Sequence, residues 1–253
     1  MKSLFRALLP NVLIDLYRGL CRVRDQRQNL KKTAEQVFTE IYKKNKWGGL
    51  EGDFCSGSGT ADERIVAPYV AMVFEVALRE KFQGLRFVDL GCGDFRVGSR
   101  LRVLSSYYIG VDIVEALVRR NQAIYGDAKT EFVHLNIVTE ELPDGDVCFI
   151  RQVFQHLSNQ QIRSALEKLG KFQWVFITEH YPMDNERIVP NRDKIQGGDI
   201  RMYKNSGVYL TEAPFSLPTR TLQKVLEVPG AGAGERNATG IIRTFLYKPR
   251  GES

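Results

Sequence analysis

Residues 87–98 read Phe87-Val88-Asp89-Leu90-Gly91-Cys92-Gly93-Asp94-Phe95-Arg96-Val97-Gly98. An apolar run ends in an acid, two glycines flank one residue, and a helical pattern follows. This is how a strand stops where the backbone must come close to a nucleotide-like ligand. Glycines remove the Cβ that would block the approach, and they permit the tight turn. A dinucleotide turn would place its third glycine three residues after the second. Here that glycine comes late, at Gly98, and Asp94 directly follows Gly93. An acid there opposes a pyrophosphate and suits a ligand that carries positive charge.

A second acid follows at a telling distance. Tyr107-Tyr108-Ile109-Gly110-Val111-Asp112 is a short β-favouring run ending in a carboxylate. It falls about twenty residues after the glycines, where a second-strand acid can accept hydrogen bonds from a ribose diol. Asp112 also sits where a helix N-cap would, because Val114–Arg120 has helical spacing. Strand patterns recur at 130–137, 146–153 and 173–180, with helices between them, notably 158–169. That alternation predicts a parallel sheet with helices on both faces and ligands at the carboxyl ends of the strands. Two further β-like segments, 221–228 and 240–247, flank a glycine-rich turn and predict an antiparallel hairpin.

The stretch at 87–98 resembles motif I of the class I S-adenosylmethionine-dependent methyltransferases, and the later segments arrive in that family's order, over roughly residues 60–250. The resemblance implies an α/β, Rossmann-like, seven-stranded, mostly parallel sheet closed by a C-terminal antiparallel hairpin. It implies S-adenosylmethionine as cofactor, held by Asp89, Gly91, Cys92, Gly93, Asp94, Asp112, Ile113, Asn136, Ile137 and Gln152. The family often has an acid where Asn136 stands, meeting the adenine amino group; an amide oxygen can do the same. Arg151-Gln152-Val153-Phe154-Gln155-His156-Leu157-Ser158 is similar to the family's motif IV, with Ser158 and Gln161 forming a capping-box pattern.

Methyl transfer is an in-line displacement at carbon, and a hydroxyl acceptor must lose its proton on the way. Glu179 and His180 end the fifth strand, where substrate meets cofactor, and histidine suits a general base. His156 is the alternative base, or a support for its loop. The irregular stretch 181–218 holds four of the nine prolines and predicts a substrate-covering insert. It carries Arg187, Arg192, Asp193, Asp199, Arg201, Tyr203 and Tyr209, none singled out for a role. Neither the Pro-Pro motif of base-amine methylases nor a Pro-Cys dipeptide occurs, which favours a small-molecule or glycan acceptor, methylated at oxygen. The alternatives are an RNA methyltransferase and a scaffold that binds cofactor without catalysis.

The charge is unevenly placed. Residues 1–46 contain eleven Lys or Arg and four Asp or Glu, so they hold +7 of the net +6 and leave the body near neutral. A neutral body weighs against nucleic acid as the partner. The chain thus divides into a basic, amphipathic helical arm at 1–45 and a methyltransferase domain at 46–253. Leu4, Phe5, Leu8, Leu9, Val12, Leu13, Leu16, Tyr17 and Leu20 recur at helical spacing among basic residues, and Pro10 breaks or starts a helix. Such a face fits an anionic membrane surface, its own domain, or a twin subunit in a homodimer. A second helix is expected over 30–42. Trp47, in a polar glycine-rich lead-in, either stacks on a ligand as part of a lid or anchors a surface loop. Cys21, Cys55, Cys92 and Cys148 lack metal-ligand spacing and read as reduced thiols. With no apolar run of membrane-spanning length, the expected location is the cytoplasm, with the arm as a contact to the inner face of the membrane.

Overall fold

A computed structural model describes residues 11–49, 53–183, 187–230 and 240–251. Seven strands form one sheet: β1 Arg86–Leu90, β2 Tyr107–Asp112, β3 Thr130–His134, β4 Val147–Arg151, β5 Trp174–Tyr181, β6 Leu222–Pro229 and β7 Ile241–Tyr247. Their order is β3-β2-β1-β4-β5-β7-β6. The first five are parallel, while β7 runs antiparallel to both β5 and β6. This is the expected Rossmann-like sheet with its C-terminal hairpin. The glycine-rich turn of that hairpin lies mostly outside the described residues.

The helices are α1 Asn11–Asn29, α2 Ala34–Lys43, α3 Ser58–Ala61, α4 Glu63–Arg79, α5 Gly98–Leu101, α6 Glu115–Tyr125 and α7 Asn159–Glu167. Two apolar layers sandwich the sheet. On one side α2 and α7 cover Val88, Leu90, Ile150, Val175 and Ile177. On the other, α4 covers Phe87, Phe149 and Phe176. The side chains alternate along each strand, so both faces of a central strand are apolar. Phe95, with a left-handed φ of 62°, is fully buried against Tyr108, Tyr125 and Phe132, with ring centroids 4.7–5.3 Å away.

Several expected boundaries move. The pattern at 130–137 is a strand only to His134. The Asn136 side chain then accepts the Val138 amide at 2.9 Å, turning the chain away. The strand expected over 146–153 stops at Arg151, because Gln152 adopts φ +58°. The helix expected over 30–42 starts at Ala34, capped by the Thr33–Gln36 reciprocal pair. The Ser158–Gln161 capping box is present. The proposed division at residue 45 cuts through the core: Val37, Phe38, Ile41 and Tyr42 of α2 are buried with Val88 and Leu90. The body therefore begins at α2, and only what precedes it is an arm. The amphipathic pattern at 2–9 and Pro10 lie outside the described residues.

Candidate active site at the carboxyl edge of the sheet

The turn after β1 is bound to β2 through its main chain. The amides of Gly91 and Cys92 both donate to the Val111 carbonyl, at 2.8 and 2.9 Å. Gly91 has φ +78°, and a Cβ there would fall 2.5 Å from Val153 Cγ2. The Gly93 amide donates to Asp112 Oδ2 at 3.1 Å, and the Val114 amide donates to Oδ1 at 3.0 Å. One carboxylate thus closes the glycine turn and holds the amide of Val114, which, rather than Asp112, is the N-cap of α6. Asp112 is 7% exposed, and burial raises its pKa. A carboxylate offers about four lone-pair directions, and these two amides use two of them.

Asp89 lies on the face of β1 that carries Phe87. Tyr108 Oη donates to it at 3.0 Å, and burial pushes its pKa up to about 7 against that bond and the Arg151 charge. Arg151 lies over the Tyr69 ring at 5.0 Å and donates to the Gly59 carbonyl. Cys92 turns its thiol to the Asn121 amide at 3.9 Å, and burial pushes that thiol up. The Ile113 carbonyl accepts from His134 Nε2 at 3.0 Å. Asn136 spends a lone pair on Val138, and Ile137 is buried in the core. The Gln152 amide donates to the Thr178 carbonyl at 2.7 Å, while its side chain lies against Gly59. All ten residues read as cofactor contacts therefore gather at the carboxyl ends of β1–β4 or just beyond them.

Asp94 is placed differently from the sequence reading. Its Oδ2 accepts the Ser56 amide at 3.0 Å and Thr60 Oγ1 at 3.2 Å, and its own amide donates to Ser56 Oγ at 2.8 Å. Ser56 Oγ also meets Tyr42 Oη at 2.9 Å. The Ser-Gly-Ser-Gly lead-in is thus clasped to the glycine turn, and Asp94 is fully enclosed. Its carboxylate is spent on the protein rather than turned to a cationic ligand. Tyr42 and Ser56 were invisible as site residues, because nothing local ties positions 42, 56 and 94 together.

The turn after β4, Phe154–His156, is gripped from both sides. Glu179 Oε1 and Oε2 accept the amides of Phe154 and Gln155, each at 2.9 Å. Arg201 Nη1 donates to the Phe154 carbonyl at 3.0 Å, and Nη2 donates to the Leu157 carbonyl at 2.8 Å and Asn159 Oδ1 at 2.9 Å. Glu179 is fully buried and Arg201 is 1% exposed. Burial pushes Glu179 up to about 8, while the two amides and the Arg201 charge pull it down. Glu179 and His180 therefore do not face one site together: successive strand residues point to opposite faces, and Glu179 holds a loop. Nothing in the sequence reading separated Arg201 from the other charges of the insert.

The histidines differ. His156 Nδ1 donates to the Gly197 carbonyl at 3.1 Å, and its Nε2 meets the Gln155 amide nitrogen at 3.3 Å. With Nδ1 as donor, Nε2 accepts. The ring stands 5.0 Å from that of Trp47, whose Nε1 donates to the Gly198 carbonyl at 3.2 Å. Trp47 is therefore an anchor between α2 and the insert. Burial lowers His156 to about 4. His180 is also lowered to about 4 by burial, but its Nε2 has no hydrogen-bond partner among the described residues. It lies beside Gly230 and Gly240, under the hairpin end. No group of three or more potential metal-ligating side chains occurs among the described residues.

Residues 88–171 match the family model of a methyltransferase domain. Uncharacterised methyltransferases of Mycobacterium bovis and Mycobacterium tuberculosis are 33% identical over 85 residues, 33% of this chain and 42% of theirs. The match thus spans less than half the length of those curated relatives. The N-methyltransferase NodS of Bradyrhizobium japonicum, in complex with S-adenosyl-L-homocysteine, aligns with a TM-score of 0.55 at 12% identity, covering 85% of this chain and 99% of that one. The magnesium protoporphyrin IX methyltransferase of Synechocystis, with the same product bound, aligns with a TM-score of 0.53 at 12% identity, covering 85% and 100%. At such identities the likeness is one of fold. Residues 88–171 are thus similar to a methyltransferase domain, and the sheet that holds them shares the fold of these two solved methyltransferases.

Proposed function

We propose that this protein transfers a methyl group from S-adenosylmethionine to an oxygen of a small-molecule or sugar acceptor. The observation that carries the cofactor part is the Asp112 carboxylate. It is buried at the strand edge, holds the Gly93 amide, and keeps lone pairs for a diol. Gly91, Cys92 and Gly93 would lie along the ligand with Ile113 beside it. Asn136, Ile137 and Gln152 would line the far strand ends. Asp89 and Asp94 would shape the turn from behind and from the lead-in. Once bound, the cofactor supplies a methyl group on a sulfonium, already a strong electrophile.

The acceptor's proton then needs a destination. His180 is the base in this reading, because its Nε2 is free of partners among the described residues while that of His156 is met by Gln155. With a pKa near 4, His180 is neutral at pH 7 and so ready to accept. It is a weak base, which serves when proton loss accompanies C–O bond formation and the oxygen grows acidic. Glu179 and His156 act through position: one fixes the turn after β4 and the other fixes the insert.

Calorimetric titration with S-adenosyl-L-homocysteine tests the cofactor reading. Asp112→Ala should weaken binding about 10- to 100-fold, the loss of a charge-assisted acceptor worth roughly 1.5–3 kcal/mol. Equal affinity in wild type and variant would remove Asp112 from the site. For the transfer, an acceptor found by screening small hydroxylic compounds and saccharides should be turned over roughly 10²–10⁴-fold more slowly by His180→Ala. Full turnover in that variant assigns the proton elsewhere.

A further inference from the structure

Among the described residues, helix α1 is docked by one face only. Gln26 Nε2 donates to Tyr203 Oη at 2.7 Å and to Asp199 at 3.3 Å. Asn29 Nδ2 donates to the Gln196 carbonyl at 3.1 Å, and the Arg22 guanidinium covers the Tyr203 ring at 4.8 Å. All of these partners belong to the insert.

The opposite face is open. Leu13, Leu16, Tyr17, Leu20 and Val23 are 47–69% exposed. Arg24 and Arg27 continue the same side toward the end of the helix and are exposed too. At 3.6 residues per turn these seven positions share about a third of the circumference. No Asp or Glu falls at a position on that arc.

We propose that this outer face binds the surface of an anionic lipid bilayer. Charge complementarity selects that occupant. A second copy of α1 paired in parallel would set Arg24 and Arg27 against their own counterparts. Paired antiparallel, it would set them against an apolar half that has no acid to offer. Lipid phosphates supply that counter-charge to Arg27, and to Arg24 beyond its long 3.9 Å contact with Asp25. The apolar half can enter the acyl boundary, with the tyrosine at the headgroup level. The docked face meanwhile keeps the insert joined to the helix, so the insert side of the body would face the membrane.

Sedimentation of the full chain with vesicles tests this. The chain should bind vesicles containing phosphatidylglycerol at low salt, bind pure phosphatidylcholine vesicles poorly, and lose binding steeply as salt rises. Replacing both arginines, Arg24→Gln with Arg27→Gln, should weaken binding about 30-fold, since each basic residue near such a surface is worth about five-fold. Leu16→Asp with Leu20→Asp should abolish it. Both variants should retain the wild-type unfolding midpoint and affinity for S-adenosyl-L-homocysteine, which separates a lost surface from a lost fold. Wild-type protein that ignores anionic vesicles at low salt overturns the proposal. So does a dimer in sedimentation velocity that Leu16→Asp with Leu20→Asp dissociates, if vesicles are not bound.

Discussion

The turn after β1 and the turn after β4 meet at the same edge of the sheet, and Val153 touches Gly91 across the gap between them. They are held by opposite means. The first is tied by short-range main-chain bonds to the adjacent strand and by one carboxylate at the end of that strand. The second is gripped by two buried side chains, Glu179 on β5, which accepts its amides, and Arg201 from the insert, which donates to its carbonyls. The first arrangement tolerates change everywhere except at its few special backbone positions. The second concentrates its stability in two side chains, because a buried amide or carbonyl that loses its partner is left unsatisfied.

The largest effect should therefore come from the second turn. Arg201→Met leaves four acceptors, the Arg192, Phe154 and Leu157 carbonyls and Asn159 Oδ1, without their donor, and removes the charge that pulls Glu179 down. The expected loss is about 3–5 kcal/mol in urea unfolding, from several buried acceptors left unsatisfied at about 1–3 kcal/mol each. A loss below about 1 kcal/mol would mean that the loop holds itself. Arg201→Lys should recover only part, since a single ammonium cannot fork to Phe154, Leu157 and Asn159 together.

The next effect appears with acid. Burial lowers His156 from 6.5 to about 4 in the folded chain. Between those values the unfolded state binds the extra proton, so the stabilisation is complete above pH 6.5 and is lost as pH falls toward 4. The shift corresponds to about 3 kcal/mol at full loss. His156→Gln should make the dependence of unfolding free energy between pH 7 and pH 5 shallower by about half of the histidine contribution, since His180 is lowered equally and keeps its share. An unchanged slope would show that the ring is open to water.

The first turn should yield less. Gly91→Ala meets both a left-handed φ and the Val153 methyl group, at an expected cost of about 2 kcal/mol. Adding Val153→Ala should relieve the contact but not the backbone strain. Complete rescue by the double change would place the whole cost in packing. The smallest effect should be Ser56→Ala, about 1 kcal/mol. It removes the acceptor of the Asp94 amide yet leaves the Ser56 amide bonded to the carboxylate.

This contrast also explains what could be read in advance. The placement of Asp89, Gly91, Gly93 and Asp112 at the strand ends was legible because strand ends and glycines carry their meaning locally. The sheet and its closing hairpin followed from alternating patterns for the same reason. Asp94 was assigned to a cationic ligand because its partner Ser56 lies 38 residues away and nothing adjacent points to it. Arg201 looked like a solvated charge until the insert folded back and enclosed it. The pairing of Glu179 with His180 was a different lapse. Alternation along a strand already separates neighbours, and placing both by strand end alone set that aside. The boundary at residue 45 failed because α2 is amphipathic like α1, and pattern cannot say which apolar face finds a sheet.

The outer strand β6 carries a consequence for the protein's company in a crowded cell. Its pairing with β7 shifts register between Lys224 and Leu226. Lys224 and Glu227 stand on it as an exposed ion pair, and it ends at Pro229. An extra residue twists the strand, the charges would be stripped of water by any incoming chain, and proline offers no amide to share. The hairpin that completes the sheet also makes this border a poor template, so copies of the protein are discouraged from zipping together edge to edge.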